Sequence, residues 1–123
     1  MRYLTDRKRA LGLGSARTGT DQHWQMLVRS IVMGVLVPLF VFTFAAGFGG
    51  TRAEVLAYFS HPCAAIVTGL MLVVGLVHLM HEANEAVEDY IHGVAGKLSL
   101  VAVKAFAFTL IAIGLFALVK IAL

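Results

Sequence analysis

The side chains best suited to chemistry are concentrated between residues 77 and 93, which hold three histidines, four carboxylates and a tyrosine. His78 directly follows a long apolar run, so we expect it to lie at membrane depth, where an ionisable group is costly and needs a partner. A neutral imidazole there can ligate haem iron through one ring nitrogen. It can also form a hydrogen bond to a neighbouring helix; position alone leaves both interpretations open, with the hydrogen bond the commoner.

A second histidine and two glutamates, all possible metal ligands, follow His78 at helical spacing. His81 lies three residues after His78 and four before Glu85, so these side chains and Glu82 can share parts of one helical face. Histidine and carboxylate ligands build di-iron sites in helix bundles, but such sites draw their ligands from several helices. The other apolar stretches offer no such residue, so the pattern is more typical of a solvated acidic helix end.

The dipeptide Asp89-Tyr90 ends this polar stretch. A tyrosine hydroxyl can donate a hydrogen bond to a carbonyl oxygen, and an adjacent carboxylate can pass protons from water. A quinone at the membrane edge needs both groups, since it receives two electrons and two protons. Tyrosine is also common at membrane interfaces without any such role.

Two cations lie inside otherwise apolar stretches. Arg29 and Lys104 can each extend their charged ends to the interface while their stems stay in the apolar layer. Arg29 can instead clamp an anionic group, such as a haem propionate, by charge-assisted hydrogen bonds. An arginine at this position in a span more often extends to the interface than clamps an anion.

Composition determines which elements position these residues. The 123-residue chain is 59% hydrophobic and 14% charged, whereas soluble domains average about 45–50% and about 25%. Lys, Arg, Asp and Glu are absent from residues 30–51, 55–77 and 105–119. Because a helical crossing needs about 20 mostly apolar residues, the sequence predicts an all-α integral membrane protein with three spans, at about 27–48, 55–81 and 98–121. Since proline suits the first turn of a helix, Ser60-His61-Pro62 is an alternative beginning of the second span.

The spans divide the chain into a basic N-terminal segment, residues 1–26, and a three-helix membrane domain, residues 27–123. Five of the ten Lys and Arg residues precede Trp24, so the positive-inside rule predicts a cytoplasmic N-terminus. Residues 82–97 then return to the cytoplasmic side as the longest polar connector. The net charge of +3 is too small to indicate nucleic-acid binding, and the single cysteine, Cys63, excludes an internal disulfide or a cysteine-held cluster.

Taken together, these features resemble the hydrophobic membrane anchor of succinate dehydrogenase (respiratory complex II), in its smaller, alphaproteobacterial form. The similarity covers nearly the whole chain. It comprises the basic N-terminus, His23 followed six residues later by Arg29, the three spans, and His78 separated by ten residues from Asp89-Tyr90. That last pattern is its most specific part.

The resemblance implies a role for each matching residue. His78 would be an axial ligand of haem b, with the second axial histidine supplied by a companion cytochrome b anchor subunit. Tyr90 would donate a hydrogen bond to ubiquinone, Asp89 would support it or relay protons, and Arg29 would contact a haem propionate. Glu82 stands where family members commonly have glycine, four residues after the haem histidine, so His81 is the reserve ligand.

The resemblance also implies the function and partners. The chain would be half of a two-subunit haem- and quinone-binding helix bundle in the bacterial cytoplasmic membrane. A flavoprotein subunit would oxidise succinate, and an iron–sulfur subunit would carry the electrons to the quinone. The chain itself would be a subunit outside the catalytic core. Two alternatives stay open: the anchor of a fumarate reductase, and a small non-redox membrane protein such as an assembly factor or transporter subunit.

Overall fold

The computed structural model describes residues 5–12 and 18–123. Within these ranges every regular element is helical, and no strand occurs. The helices are Asp6–Leu11, Gly19–Ala46, Arg52–Ser60, Pro62–Tyr90 and Gly93–Ala122. The all-α fold is therefore confirmed.

Three of these helices are long and apolar enough to cross a membrane: Gly19–Ala46, Pro62–Tyr90 and Gly93–Ala122, named here the first, second and third spans. Helices suit lipid because every backbone polar group within them is satisfied internally. The second span is the most buried of the three, since it packs against both of the others. The expected architecture of three membrane helices is confirmed.

The helices extend beyond the predicted apolar spans. The first span begins at Gly19 instead of near residue 27, the second continues past residue 81 to Tyr90, and the third begins at Gly93 instead of near residue 98. Hydropathy marks the part of a helix that lipid can cover, whereas backbone hydrogen bonding continues into the polar turns on either side. The helix ends therefore lie outside the apolar stretches.

The connector between the second and third spans is much shorter than the predicted residues 82–97. Only Ile91 and His92 separate the two helices. Gly93 has a φ of 73°, a conformation that side chains disfavour. A Cβ on Gly96 would collide with the carbonyl oxygen of Ile91. These two glycines allow the chain to reverse direction within a few residues.

A separate short helix, Arg52–Ser60, occupies the start of the predicted 55–81 span. Thr51 caps it: Glu54 N donates to Thr51 Oγ1 at 3.4 Å, and Thr51 N donates to Glu54 Oε2 at 2.6 Å. This reciprocal pair is a capping box. His61 is extended because it precedes Pro62, and Pro62 opens the second span in the first turn, where proline is favoured.

The same cap affects a carboxyl group outside the membrane spans. The backbone N–H and hydroxyl of Thr51 donate to Glu54 and so hold the pKa of that carboxyl below its usual value. The cap therefore contributes most above the ordinary carboxyl pKa and weakens as the pH falls through the lowered one.

Aromatic side chains hold the short helix against the end of the first span. The Tyr58 hydroxyl donates to the carbonyl oxygen of Thr43 at 2.7 Å. The ring centroids of Phe44 and Phe59 lie 5.4 Å apart, within the usual range for interacting rings. A Cβ on Gly47 would lie 2.7 Å from Phe59 Cε2, so a glycine permits this close packing.

A π-helical turn, Met71–Gly75, interrupts the second span a few residues before His78. Such turns insert one extra residue into an α-helix and are frequent at functional sites. Because each α-helical residue advances by about 100° around the axis, at 3.6 residues per turn, the insertion rotates His78 and all later residues relative to the first half of the span. Hydropathy gave no sign of this turn.

Gly114 allows the second and third spans to approach closely. A Cβ on Gly114 would overlap Leu72 Cδ2 and would lie 2.9 Å from Leu72 Cδ1. Packing of small residues against larger ones is a principal source of helix association in membranes.

Substituting Gly114 tests this contact. We expect Gly114→Val to destabilise the protein by about 1–3 kcal/mol, the usual range for overpacking, and to lower the midpoint of thermal unfolding in detergent. Gly34→Val is the control, because nothing lies within 4 Å of a Cβ on Gly34. Adding Leu72→Ala to Gly114→Val should recover part of the loss; equal midpoints for the two valine variants would contradict the contact.

Candidate functional site

His78 lies on the second span, three residues after the π-turn. Its side chain is 22% exposed, and its Nε2 lies 3.9 Å from Glu82 Oε1. That distance is too long for a hydrogen bond, and among the described residues His78 has no hydrogen-bonded partner. The imidazole is thus partly accessible, and no side chain of residues 5–12 or 18–123 forms a hydrogen bond with its ring nitrogens.

A polar cavity of about 500 Å³ lies where the first span begins and the second span ends. Four of its side chains carry or can carry positive charge. These are His23 and Arg29 on the first span, His81 on the second and Lys104 on the third. Arg29 Nε donates to the carbonyl oxygen of Gln25 at 3.1 Å, which fixes the stem of the side chain against its own helix.

The second span contributes the acidic wall of the polar cavity. Glu85 and Glu88 line it together with Asn84. Among the described residues, no ion pair joins either carboxylate to Arg29 or Lys104. Opposite charges therefore face one cavity without neutralising each other directly.

Asn84 is a functional candidate that the sequence analysis missed. It is 8% exposed, and its Oδ1 has no hydrogen-bond partner among the described residues. Leaving a buried acceptor unsatisfied costs about 1–3 kcal/mol. Its position three residues after His81 and four before Glu88 places it on their helical face, and that spacing is the signal that could have found it.

The structure separates two histidines that the sequence could place on one face. His81 and Glu85 line the polar cavity, whereas His78 and Glu82 do not. The described residues contain no group of three or more His, Cys, Asp or Glu side chains that could hold a metal ion. Arg29 shares the cavity with His81 and not with His78, and its contact with a propionate stays a prediction.

Asp89 and Tyr90 are the last two residues of the second span. Tyr90 is 85% exposed, Asp89 is also exposed, and neither lines the polar cavity. At 1.5 Å per residue, Tyr90 lies roughly 18 Å along the helix from His78. The two residues can therefore serve two separate bound groups at different depths.

The basic N-terminal cluster is described in part. Arg7, Lys8 and Arg9 lie on the helix Asp6–Leu11, which Thr5 caps by accepting a hydrogen bond from Lys8 N at 3.3 Å. Arg2 and Arg17, the other two of the five Lys and Arg residues before Trp24, lie outside the described residues.

Comparison with known proteins identifies the family. Residues 1–119 match the succinate dehydrogenase/fumarate reductase transmembrane subunit family. The chain is 38% identical over 123 residues to the succinate dehydrogenase hydrophobic membrane anchor subunit of Paracoccus denitrificans, covering all of this chain and 95% of that one. No solved structure matches it significantly. The chain belongs to the family of succinate dehydrogenase/fumarate reductase transmembrane subunits.

Proposed function

We propose that this chain is the hydrophobic membrane anchor subunit of a succinate:ubiquinone oxidoreductase in a bacterial inner membrane. The full-length similarity to the Paracoccus anchor carries the proposal. The family description also includes fumarate reductase subunits, and the relative's function favours succinate oxidation. The three membrane spans fit this role, and nothing in the comparisons supports a non-redox transporter subunit or assembly factor.

His78 is the axial ligand that this chain offers to haem b. Its imidazole is partly exposed and has no hydrogen-bonded partner among the described residues, as an available ligand requires. Glu82 is half exposed, so its carboxylate can turn toward water when the imidazole is occupied. When bound, a haem supplies one-electron chemistry, and the protein tunes it through its ligands and surroundings.

Tyr90 is the residue of this chain best placed to touch a quinone headgroup. Its position at the end of the second span suits a ligand that diffuses within the bilayer and reacts at its edge. The phenol donates a hydrogen bond to a quinone carbonyl oxygen. Asp89 beside it holds a proton at its carboxylate or passes one from water.

The chain needs partners to complete either site. It offers one axial histidine at His78, so a companion cytochrome b subunit supplies the other. Its single cysteine, Cys63, cannot hold an iron–sulfur cluster, so the cluster belongs to another subunit, which in the proposed complex receives electrons from a flavoprotein. Much of the apolar surface of the first and third spans is exposed and is covered by lipid and the companion.

Purification through a tag on this chain tests the proposal. From native membranes in mild detergent, we expect three partner subunits, covalent or tightly bound flavin, iron–sulfur absorbance and a b-type haem spectrum. The preparation should reduce ubiquinone with succinate.

A specific set of results would contradict the anchor role. A preparation without flavin and haem, whose reconstituted vesicles show an ion flux that falls on substitution of His81 or Glu85, would overturn the anchor role in favour of a non-redox membrane protein.

A further inference from the structure

The π-turn Met71–Gly75 changes the face of the second span on which His78 lies. In an uninterrupted α-helix, eleven residues make three turns and about 20°, so His78 would share a face with Val67, eleven residues before it. Val67 and Ala64, three residues earlier, are both buried, in a part of the helix that packs against the first and third spans. A continuous helix would therefore direct His78 into this chain's own bundle.

The observed position of His78 differs from that expectation. A π-turn takes one more residue than an α-turn to complete a rotation, so it displaces every later residue by about 100° around the axis. The side chain of His78 is 22% exposed, whereas Met80 and Asn84 are buried. These two residues follow His78 at about 200° and about 240° around the helix. His78 thus lies away from the buried face of its own half of the span.

Packing holds the π-turn at this place in the helix. The turn contacts both the first and the third spans. Leu72, inside the turn, occupies the space that a Cβ on Gly114 of the third span would need. Met71 lies over Gly75, where a Cβ would be 3.2 Å from Met71 Cε. These contacts stabilise the extra residue within the turn.

We propose that the π-turn directs His78 out of this chain's own bundle, toward a haem that lies between this chain and another subunit. The inference rests on the proposed role of His78, because an axial ligand that shares its haem with a companion must point away from the helices of its own chain. The turn is a positioning element, since it acts through His78.

Changing the number of residues in the turn tests the proposal. Deletion of Val74 should convert the turn to plain α-helix, which completes the same rotation with one residue fewer, so His78 keeps its direction. Insertion of one alanine between Val73 and Val74 should rotate His78 by about 100°. In the assembled complex, the deletion should retain most of the b-type haem absorbance, and the insertion should lower it by about tenfold or more.

The asymmetry between the two variants is the decisive result. Without a π-turn, deletion and insertion would rotate His78 by equal amounts in opposite directions, so an equal loss of haem in both would overturn the proposal. Val74→Ala is the matched control, because it removes most of the same side chain without changing the number of residues. It should retain the haem. Flavin and iron–sulfur content show that each variant is assembled.

An intrachain cross-link reports the rotation without reference to haem. Glu85 and Lys104 line the same cavity, so Glu85→Cys with Lys104→Cys should be joined by a short bismaleimide in a Cys63→Ser background. Mass spectrometry of the digested chain measures the product. Deletion of Val74 should retain the cross-link, and the insertion should lose most of it. An insertion variant that retains both the cross-link and the haem would overturn the proposal.

Failure of the turn's role and failure of the ligand assignment give different results. If His78→Ala retains the haem, the ligand assignment is wrong, and the inference falls with it. If His78→Ala loses the haem but the insertion loses only the cross-link, His78 is the ligand and the turn does not direct it.

Discussion

His78→Ala in the assembled complex is expected to abolish most of the b-type haem absorbance. Even substitutions beside a metal ligand commonly weaken metal binding by 10–100-fold, so loss of the ligand should lower bound haem by about tenfold or more. The flavin and iron–sulfur content should stay close to normal, because those centres belong to other subunits. Visible absorption of the dithionite-reduced complex measures the effect.

His81→Ala is the matched control for this prediction. His81 lies three residues further along the same helix but lines the polar cavity, so its loss should leave the haem spectrum largely intact. If His81→Ala removes the haem while His78→Ala retains it, the ligand is His81, and Arg29 in the same cavity becomes the natural propionate partner.

Tyr90→Phe is expected to impair quinone reduction selectively. Loss of one hydrogen bond to a carbonyl oxygen that gains charge during reduction should slow succinate-driven ubiquinone reduction by about 10–100-fold. Oxidation of succinate with an artificial water-soluble acceptor should stay nearly normal, since that acceptor takes electrons before they reach the quinone. The ratio of the two activities is the measurement.

Tyr58→Phe is the control for Tyr90→Phe. It also removes a tyrosine hydroxyl, but at the other end of the bundle, where the Tyr58 hydroxyl donates to the carbonyl oxygen of Thr43. It should lower stability slightly and leave the ratio of activities unchanged. An equal fall of both activities in Tyr90→Phe would indicate defective assembly, and an unchanged ratio would remove Tyr90 from the quinone site.

The three spans were predictable because long apolar stretches without Lys, Arg, Asp or Glu rarely form anything other than membrane helices. The helix ends were less predictable. The Thr51–Glu54 capping box and the His61-Pro62 break are local signals within apolar surroundings, and a hydropathy average passes over them. The π-turn at Met71–Gly75 packs against both the first and the third spans, and such contacts cannot be read from the sequence of a single helix.

Part of the candidate site was predictable from residue type alone. His78 stands out because an ionisable group at membrane depth is uncommon, and Asp89-Tyr90 stands out by its spacing from His78; the roles of all three stay predictions. The separation of His78 from His81 was not predictable, because helical spacing permits them to share a face. Asn84 was missed because an amide between acidic residues looks solvated, and its burial follows from helices that are distant in sequence.

The two-residue turn at Ile91 and His92 sets how near a water-soluble neighbour can come. With Gly93 and Gly96 closing the turn so tightly, no bulky loop stands between the second and third spans on that side. In the proposed complex, the iron–sulfur protein can therefore dock almost on the bilayer surface beside Tyr90. Since electron tunnelling fades steeply with distance, a longer turn would slow the transfer without changing any group that takes part in it.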